Sequence, residues 1–160
     1  MRFLSGEEEK SALEYLLKAA EVALNSTCRD SRCGSVVVQN NEIIGVGFNS
    51  PPLDDESQRR CHLPKSSYNE KVTDKTCCVH AEQRAIIDAL RTNPEKLAGS
   101  KLYFIRLNSD GTIAKAGKPY CTICSKMALD TGVAEFILWH KEGICAYNTH
   151  EYNEISFQYR

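Results

Sequence analysis

Apolar residues recur along this chain with two different periods, and the alternation between those periods lays out the elements. Leu13, Leu16, Leu17, Ala20 and Leu24 fall at three-to-four spacing. Glu7, Glu8 and Glu9 crowd the start of that stretch, where a helix dipole favours acidic groups, so residues 7–24 read as an amphipathic helix. Two β-branched runs follow, 33–39 (CGSVVVQ) and 42–49 (EIIGVGFN), separated by Asn40-Asn41. Asparagine tolerates positive φ, so the pair predicts a hairpin with a two-residue turn. Helical spacing returns at 79–92 (VHAEQRAIIDALRT) and stops at Asn93-Pro94. Residues 101–107 (KLYFIRL) read as a strand, and 121–131 as a helix closed by Gly132 at its C′ position. Short strands are expected at 134–140 (AEFILWH) and 143–147 (GICAY), with a last helix at 149–157. The order α-β-β-α-β-α-β-β-α implies a three-layer α/β domain around a mixed sheet.

Two stretches break the pattern. Residues 50–76 are polar, contain Pro51, Pro52 and Pro64, and have little periodicity. A loop that long inside a compact domain is usually functional or mobile. A polar excursion from 108 to 120 turns at Asp110-Gly111 and delivers the chain to Pro119. Gly45-Val46-Gly47 lacks the third glycine and the following helix of a dinucleotide loop, so it reads as strand backbone. At 160 residues one domain, 1–160, is expected.

Charge and cysteine usage narrow the setting. The net charge is −1, without the basic excess of a chain that tracks a nucleic-acid backbone, so a small-molecule substrate is expected over a polynucleotide. The N-terminal MRFLSGEEEK has no apolar signal core, and no stretch is apolar enough to span a bilayer. A cytoplasmic location follows, with no membrane partner. In a reducing compartment the eight cysteines read as metal ligands and buried apolar residues rather than disulfides.

The chemistry sits in two motifs about 40 residues apart, His80-Ala81-Glu82 and Pro119-Tyr120-Cys121-Thr122-Ile123-Cys124. They supply one imidazole, two cysteines at i, i+3, and a carboxylate that need not bind metal. That is the kit for a catalytic zinc with three protein ligands (His80, Cys121, Cys124), an open position, and Glu82 to move protons. A C-x-x-C alone also suits redox chemistry or half of a four-ligand structural zinc site. What favours the catalytic centre is the conjunction, with each motif opening a helix.

H-A-E followed by P-(x)-C-x-x-C resembles the zinc-dependent cytidine/deoxycytidylate deaminase superfamily, and is most similar to its deoxycytidylate deaminase branch. Ser26-Thr27-Cys28, Gly47-Phe48-Asn49, His80 through Ile86, Cys124-Ser125-Lys126-Met127 and Gly132-Val133 extend the similarity over residues 10–140. The resemblance implies a three-layer α-β-α cytidine-deaminase-like fold with a mixed five-stranded sheet, a hydrolase acting on a cytosine nucleotide or nucleoside (dCMP/cytidine type), and a homo-oligomer. It implies that Glu82 shuttles protons between the attacking water, ring N3 and the departing amine. By the same resemblance, backbone N–H groups near Ala81 and Cys121 hold the ring carbonyl, and Asn49 contacts sugar or base; Asn49 also suits a turn-capping role. Tyr120 departs from the family, which has proline directly before the first cysteine. The insertion makes Tyr120 a candidate base or sugar contact. It also leaves open a deaminase of another heterocycle (guanine, an antibiotic nucleoside, a pterin precursor) or a toxin-like module acting on nucleic acid.

Some relatives in that branch carry a second, structural zinc. Cys28, Cys61 and Cys77 fall in the segments it would bridge, with His62, Cys78 or Cys33 as a fourth ligand. Buried reduced thiols are the alternative. Trp139 and His140 end a strand beside the expected pocket and suit either base stacking or core packing.

Overall fold

The computed structural model describes residues 1–115 and 119–158. Residues 116–118 of the polar excursion lie outside the described residues. The elements in chain order are β1 (Arg2–Phe3), α1 (Gly6–Ala23), β2 (Arg32–Gln39), β3 (Glu42–Phe48), α2 (Ala81–Thr92), β4 (Lys101–Leu107), β5 (Ile113–Ala114), α3 (Thr122–Asp130), β6 (Glu135–His140), β7 (Gly143–Asn148) and α4 (Thr149–Phe157). The strands form one mixed sheet in the order β1-β7-β6-β4-β2-β3, with β5 added to β4. It has seven strands rather than the expected five; the additions are β1 and β5, two residues each, too short to carry a periodic signal.

The hairpin forms as its turn chemistry dictates: Asn40 and Asn41 have φ of 50° and 62°, and Gln39 pairs with Glu42. Only β4 and β6 run parallel, joined through α3 as a crossover. β2 and β4 are covered on both faces, which explains their near-continuous apolar runs. Val36, Val38, Tyr103 and Ile105 pack with Leu16 and Ala19 of α1. Val37, Leu102, Phe104 and Phe136 pack with Ala85, Ile86 and Ala128 on the face covered by α2, α3 and α4.

The close seating of α2 on β3 explains Gly45-Val46-Gly47. A Cβ on Gly47 would lie 2.3 Å from the Ala81 carbonyl, so a side chain there would displace the helix start that carries His80 and Glu82. Side chains of α2 also cover the edge of β3: Val46 N donates to Asp88, and Asn93 donates to the Ile44 carbonyl. The 50–76 insert holds three single-turn 3₁₀ segments, at Pro52–Asp54, Glu56–Gln58 and Lys65–Ser67. Among the described residues no helix is long and apolar enough to cross a membrane.

Candidate metal centre and active site

Two helix starts meet at the carboxyl end of β4, where open α/β sheets place their ligands. His80 is the N-cap of α2, one residue before the helix proper, and Cys121 is the N-cap of α3. Each is held by its own backbone. Gln83 accepts a hydrogen bond from His80 N, and the bridge of Val79 to Ser50 pins the approach to α2 against the end of the hairpin. Arg84 adds a bond to the Pro51 carbonyl and lies over the Phe48 ring. Cys124 N donates to Cys121 Sγ, which turns the first thiol inward over the helix start.

The ligand atoms of His80, Cys121 and Cys124 consequently lie within 4.8 Å of one another, the one such group among the described residues. His80 Nδ1 is 3.2 Å from Cys121 Sγ and 3.3 Å from Cys124 Sγ. Contact with the Cys121 thiol pushes the imidazole pKa up to about 9. Hydrogen bonds from Cys124 and His80 pull the Cys121 thiol down to about 4. The bond with the Cys121 thiolate and then burial push Cys124 well up. Imidazole and thiolate at this spacing, on the positive ends of two helices, fit a catalytic zinc with an open fourth position. Glu82 stands beside this group, nearly fully buried, and burial pushes its carboxyl above the ordinary carboxylate range.

A cavity of about 380 Å³ opens in front of the group, a size suited to a small ligand. His80, Ala81, Glu82, Asn49, Phe104 and Tyr120 line it. Asn49 faces it with a side chain already engaged. Its Oδ1 accepts from Ser26 Oγ and from Cys33 N, both at 2.7 Å, and its Nδ2 donates to the Ser31 carbonyl. Capping is therefore its observed work, with one amide proton left over.

Sequence reasoning missed the cations of this cavity. Arg60, Lys65, Lys75 and Arg106 line it, against the carboxylates of Asp30 and Glu82. Arg106 Nη2 donates to Tyr120 Oη at 2.8 Å, while its Nε is buried and has no partner. The available signal was a charge inside the apolar KLYFIRL strand, since an arginine in a covered strand needs a reason.

The remaining cysteines gather on the cavity wall. Cys77 Sγ lies 3.8 Å from Cys78 Sγ, Cys61 adjoins Cys77, and Cys28 adjoins Cys78. All four line the cavity, and all eight cysteines of the chain are free. His62 is exposed and is not part of the lining, whereas Cys78 is. Cys33 and Cys145 are buried in strands, as expected of small hydrophobes. Trp139 packs with the α1 layer and carries Lys115 over its ring, while His140 bonds the Tyr147 hydroxyl. Both lie outside the cavity lining, so they pack rather than stack on a ligand.

The chain is similar to known deaminases. A deoxycytidylate deaminase of Saccharomyces cerevisiae is 26% identical over 125 residues, 77% of this chain and 36% of the yeast protein. The chain thus spans about a third of that relative's length. A deoxycytidylate deaminase of Mycobacterium phage D29 is 29% identical over 81% of this chain and 94% of its own length. Among solved structures, a dCMP deaminase of cyanophage S-TIM5 in complex with dCMP and dUMP superposes with a TM-score of 0.57, at 26% identity, covering 83% of this chain and 82% of that one. A cytidine deaminase of Burkholderia pseudomallei has the same fold, with a TM-score of 0.57 at 14% identity, 88% of this chain and 94% of that one. Residues 7–140 match the cytidine and deoxycytidylate deaminase zinc-binding region, and the chain belongs to that family.

Proposed function

We propose that this chain is a zinc-dependent hydrolytic deaminase that converts a cytosine nucleotide to the uracil product and ammonia, in one domain that includes the 50–76 insert. The observation that carries the reading is the convergence of His80, Cys121 and Cys124 beside the buried carboxyl of Glu82, with His80 and Glu82 lining a ligand-sized cavity. His80, Cys121 and Cys124 hold the metal. Zinc bound there supplies Lewis-acid activation of a water at neutral pH. Glu82 takes a proton from the attacking water and delivers protons to ring N3 and to the departing amine; burial suits it to both protonation states. The Ala81 and Cys121 N–H groups, at the two helix starts, hold the ring carbonyl, and Phe104 supplies an apolar wall for the ring. Tyr120 and the leftover Asn49 amide proton face the sugar.

The four cavity cations favour a phosphorylated substrate over a free nucleoside. The names of the phage relatives, one of them bound to dCMP and dUMP, point the same way. A net charge of −1 disfavours a polynucleotide. Cys28, Cys61, Cys77 and Cys78 form a four-thiol donor set suited to a second, structural zinc that ties the insert to the approach to α2. Free thiols on this scale suit a reducing cytoplasm. A homo-oligomer is part of the proposal; light scattering measures it. Ammonia release across cytosine, cytidine, deoxycytidine, their mono- and triphosphates, and single-stranded DNA and RNA tests the reading. Turnover is expected to be highest on a nucleotide, and activity confined to another heterocycle or to polynucleotides would sink it.

A further inference from the structure

The family match ends at residue 140, yet α4, beyond it, packs directly on the helix that carries Cys124. Ser125 follows Cys124 in the chain and is fully buried. Its hydroxyl lies 2.8 Å from Asn153 Oδ1 of α4 and 3.2 Å from the Thr122 carbonyl. One serine proton is shared between two acceptors, with the shorter arm to α4. Thr122 lies between the two cysteines, and Ser125 N donates to the Cys121 carbonyl. Ser125 therefore touches two backbone carbonyls of the C-x-x-C turn and passes one side-chain bond outward to Asn153.

The other end of that bond is fixed as well. Tyr152, next to Asn153, is buried and stacks on Phe136 of β6 with ring centroids 3.9 Å apart, edge-on to Tyr147 of β7. Asn148 caps the start of α4 by accepting from His150 N. Ser156 Oγ donates to the Tyr152 carbonyl, and Glu151 meets the N-terminal amine of Met1. A helix anchored to β6, β7 and the chain start gives Asn153 a rigid footing.

We propose that α4 is the back wall of the metal centre, and that Asn153 is a positioning residue which, through Ser125, holds the C-x-x-C turn in the geometry that binds zinc. The inference rests on the reading of His80, Cys121 and Cys124 as zinc ligands. Groups that orient metal ligands without touching the metal typically change its affinity or activity about 10–100-fold when removed.

The test uses the full zinc-loaded chain and a chromophoric chelator that reports zinc release over time. The phase belonging to the catalytic metal is the one missing in Cys124→Ser. Asn153→Ala and Ser125→Ala are each expected to speed that phase about tenfold. The double variant is expected to be no faster than either single one, because both remove the same bond. Asn153→Asp keeps an acceptor for the Ser125 hydroxyl and should restore slow release. In steady state kcat falls while KM holds, since Asn153 touches no substrate. Ser125→Ala deletes a single oxygen and carries the same readout if Asn153→Ala does not fold. Unchanged zinc release in Asn153→Ala, with equal losses of melting temperature in zinc-loaded and zinc-stripped protein, overturns the inference and leaves α4 as packing alone. A Cys124→Ser protein that keeps every release phase overturns the metal reading, and this inference with it.

Discussion

His80, Cys121 and Cys124 stand at the starts of two helices, whereas Cys28, Cys61, Cys77 and Cys78 stand in loops; all four loop thiols line the cavity, and the first group reaches it through His80. The first group converges within 4.8 Å. The second is strung out as a chain of neighbours, with Cys77 and Cys78 3.8 Å apart in its middle. The first also has a buried carboxyl beside it that is not a ligand; the second has Arg59, whose guanidinium reaches Cys61 Sγ. Helices seated on a sheet deliver donors already aligned, with the packing energy of the core holding them there. Loops deliver donors that a metal must gather, so its binding energy becomes the order of the segment. The two clusters thus differ in how their donors are held, and each difference between them can be tested.

The largest effect is expected from the first group. Cys124→Ser leaves two protein ligands and an uncompensated thiolate, so the catalytic zinc and the turnover should both be lost. The fold should persist, because α3 is still packed against α2 and α4. Metal analysis returning an undiminished zinc content would break the comparison at its root.

Glu82→Gln comes next. The amide is the same size and keeps the site packed, but it cannot shuttle protons. Zinc content should be unchanged while kcat falls by about 10²–10⁴-fold. Retention of more than about a tenth of the rate would falsify the proton-shuttle role and would make the two clusters alike in lacking a chemical group.

Much of the first group was legible in the chain because its signals are local. Asn40-Asn41 writes its own turn, and each half of the metal motif opens its own helix. What was not legible depends on pairing between distant segments. Arg106 reaches the cavity because β4 aligns it opposite Cys33 of β2, a register no single window contains. Asn49 lines the cavity as expected, but the Ser26, Ser31 and Cys33 groups that also engage it come from a separate stretch of chain. Trp139 fell on the α1 side because strand alternation gives its neighbour Leu138 to the other face. For the loop thiols, the family resemblance pointed to the segments and left His62, Cys78 and Cys33 open as the fourth ligand. Backbone direction through an irregular insert is set by its contacts, not by periodicity.

Cations also line the cavity, and Arg106 sharpens what the cavity is for. Its buried Nε has no partner and its guanidinium bonds Tyr120. Arg106→Gln removes the charge while keeping a donor. We expect kcat/KM to fall about 10–100-fold on a nucleoside monophosphate, on the scale of one lost charge-assisted hydrogen bond, and to change little on the matching nucleoside. Equal losses on both would assign Arg106 to pocket shape, with Tyr120 as its load, and would remove the main support for a phosphorylated substrate.

The smallest effect on turnover belongs to the loop thiols, and it is the one that separates structure from chemistry. Zinc in carefully purified protein should be close to two per chain, and Cys61→Ala should bring it close to one. Residues 50–76 are polar, are held by 3₁₀ turns and hydrogen bonds such as Arg59 to the Thr27 carbonyl, and contribute little apolar burial of their own. Without a metal cross-link their order would rest on those polar contacts, which water can replace. The variant should therefore become protease-sensitive within the insert while keeping its catalytic zinc. Its kcat should stay within a few-fold of wild type, because His80 is held from Gln83 and Ser50 rather than from Cys61. KM should rise, because Arg60, Lys65 and Lys75 ride on the insert and would lose their places around the substrate. One zinc per wild-type chain, or a disulfide between any two of these thiols, would leave them as buried reduced cysteines. The insert would then owe its order to side-chain bonding alone.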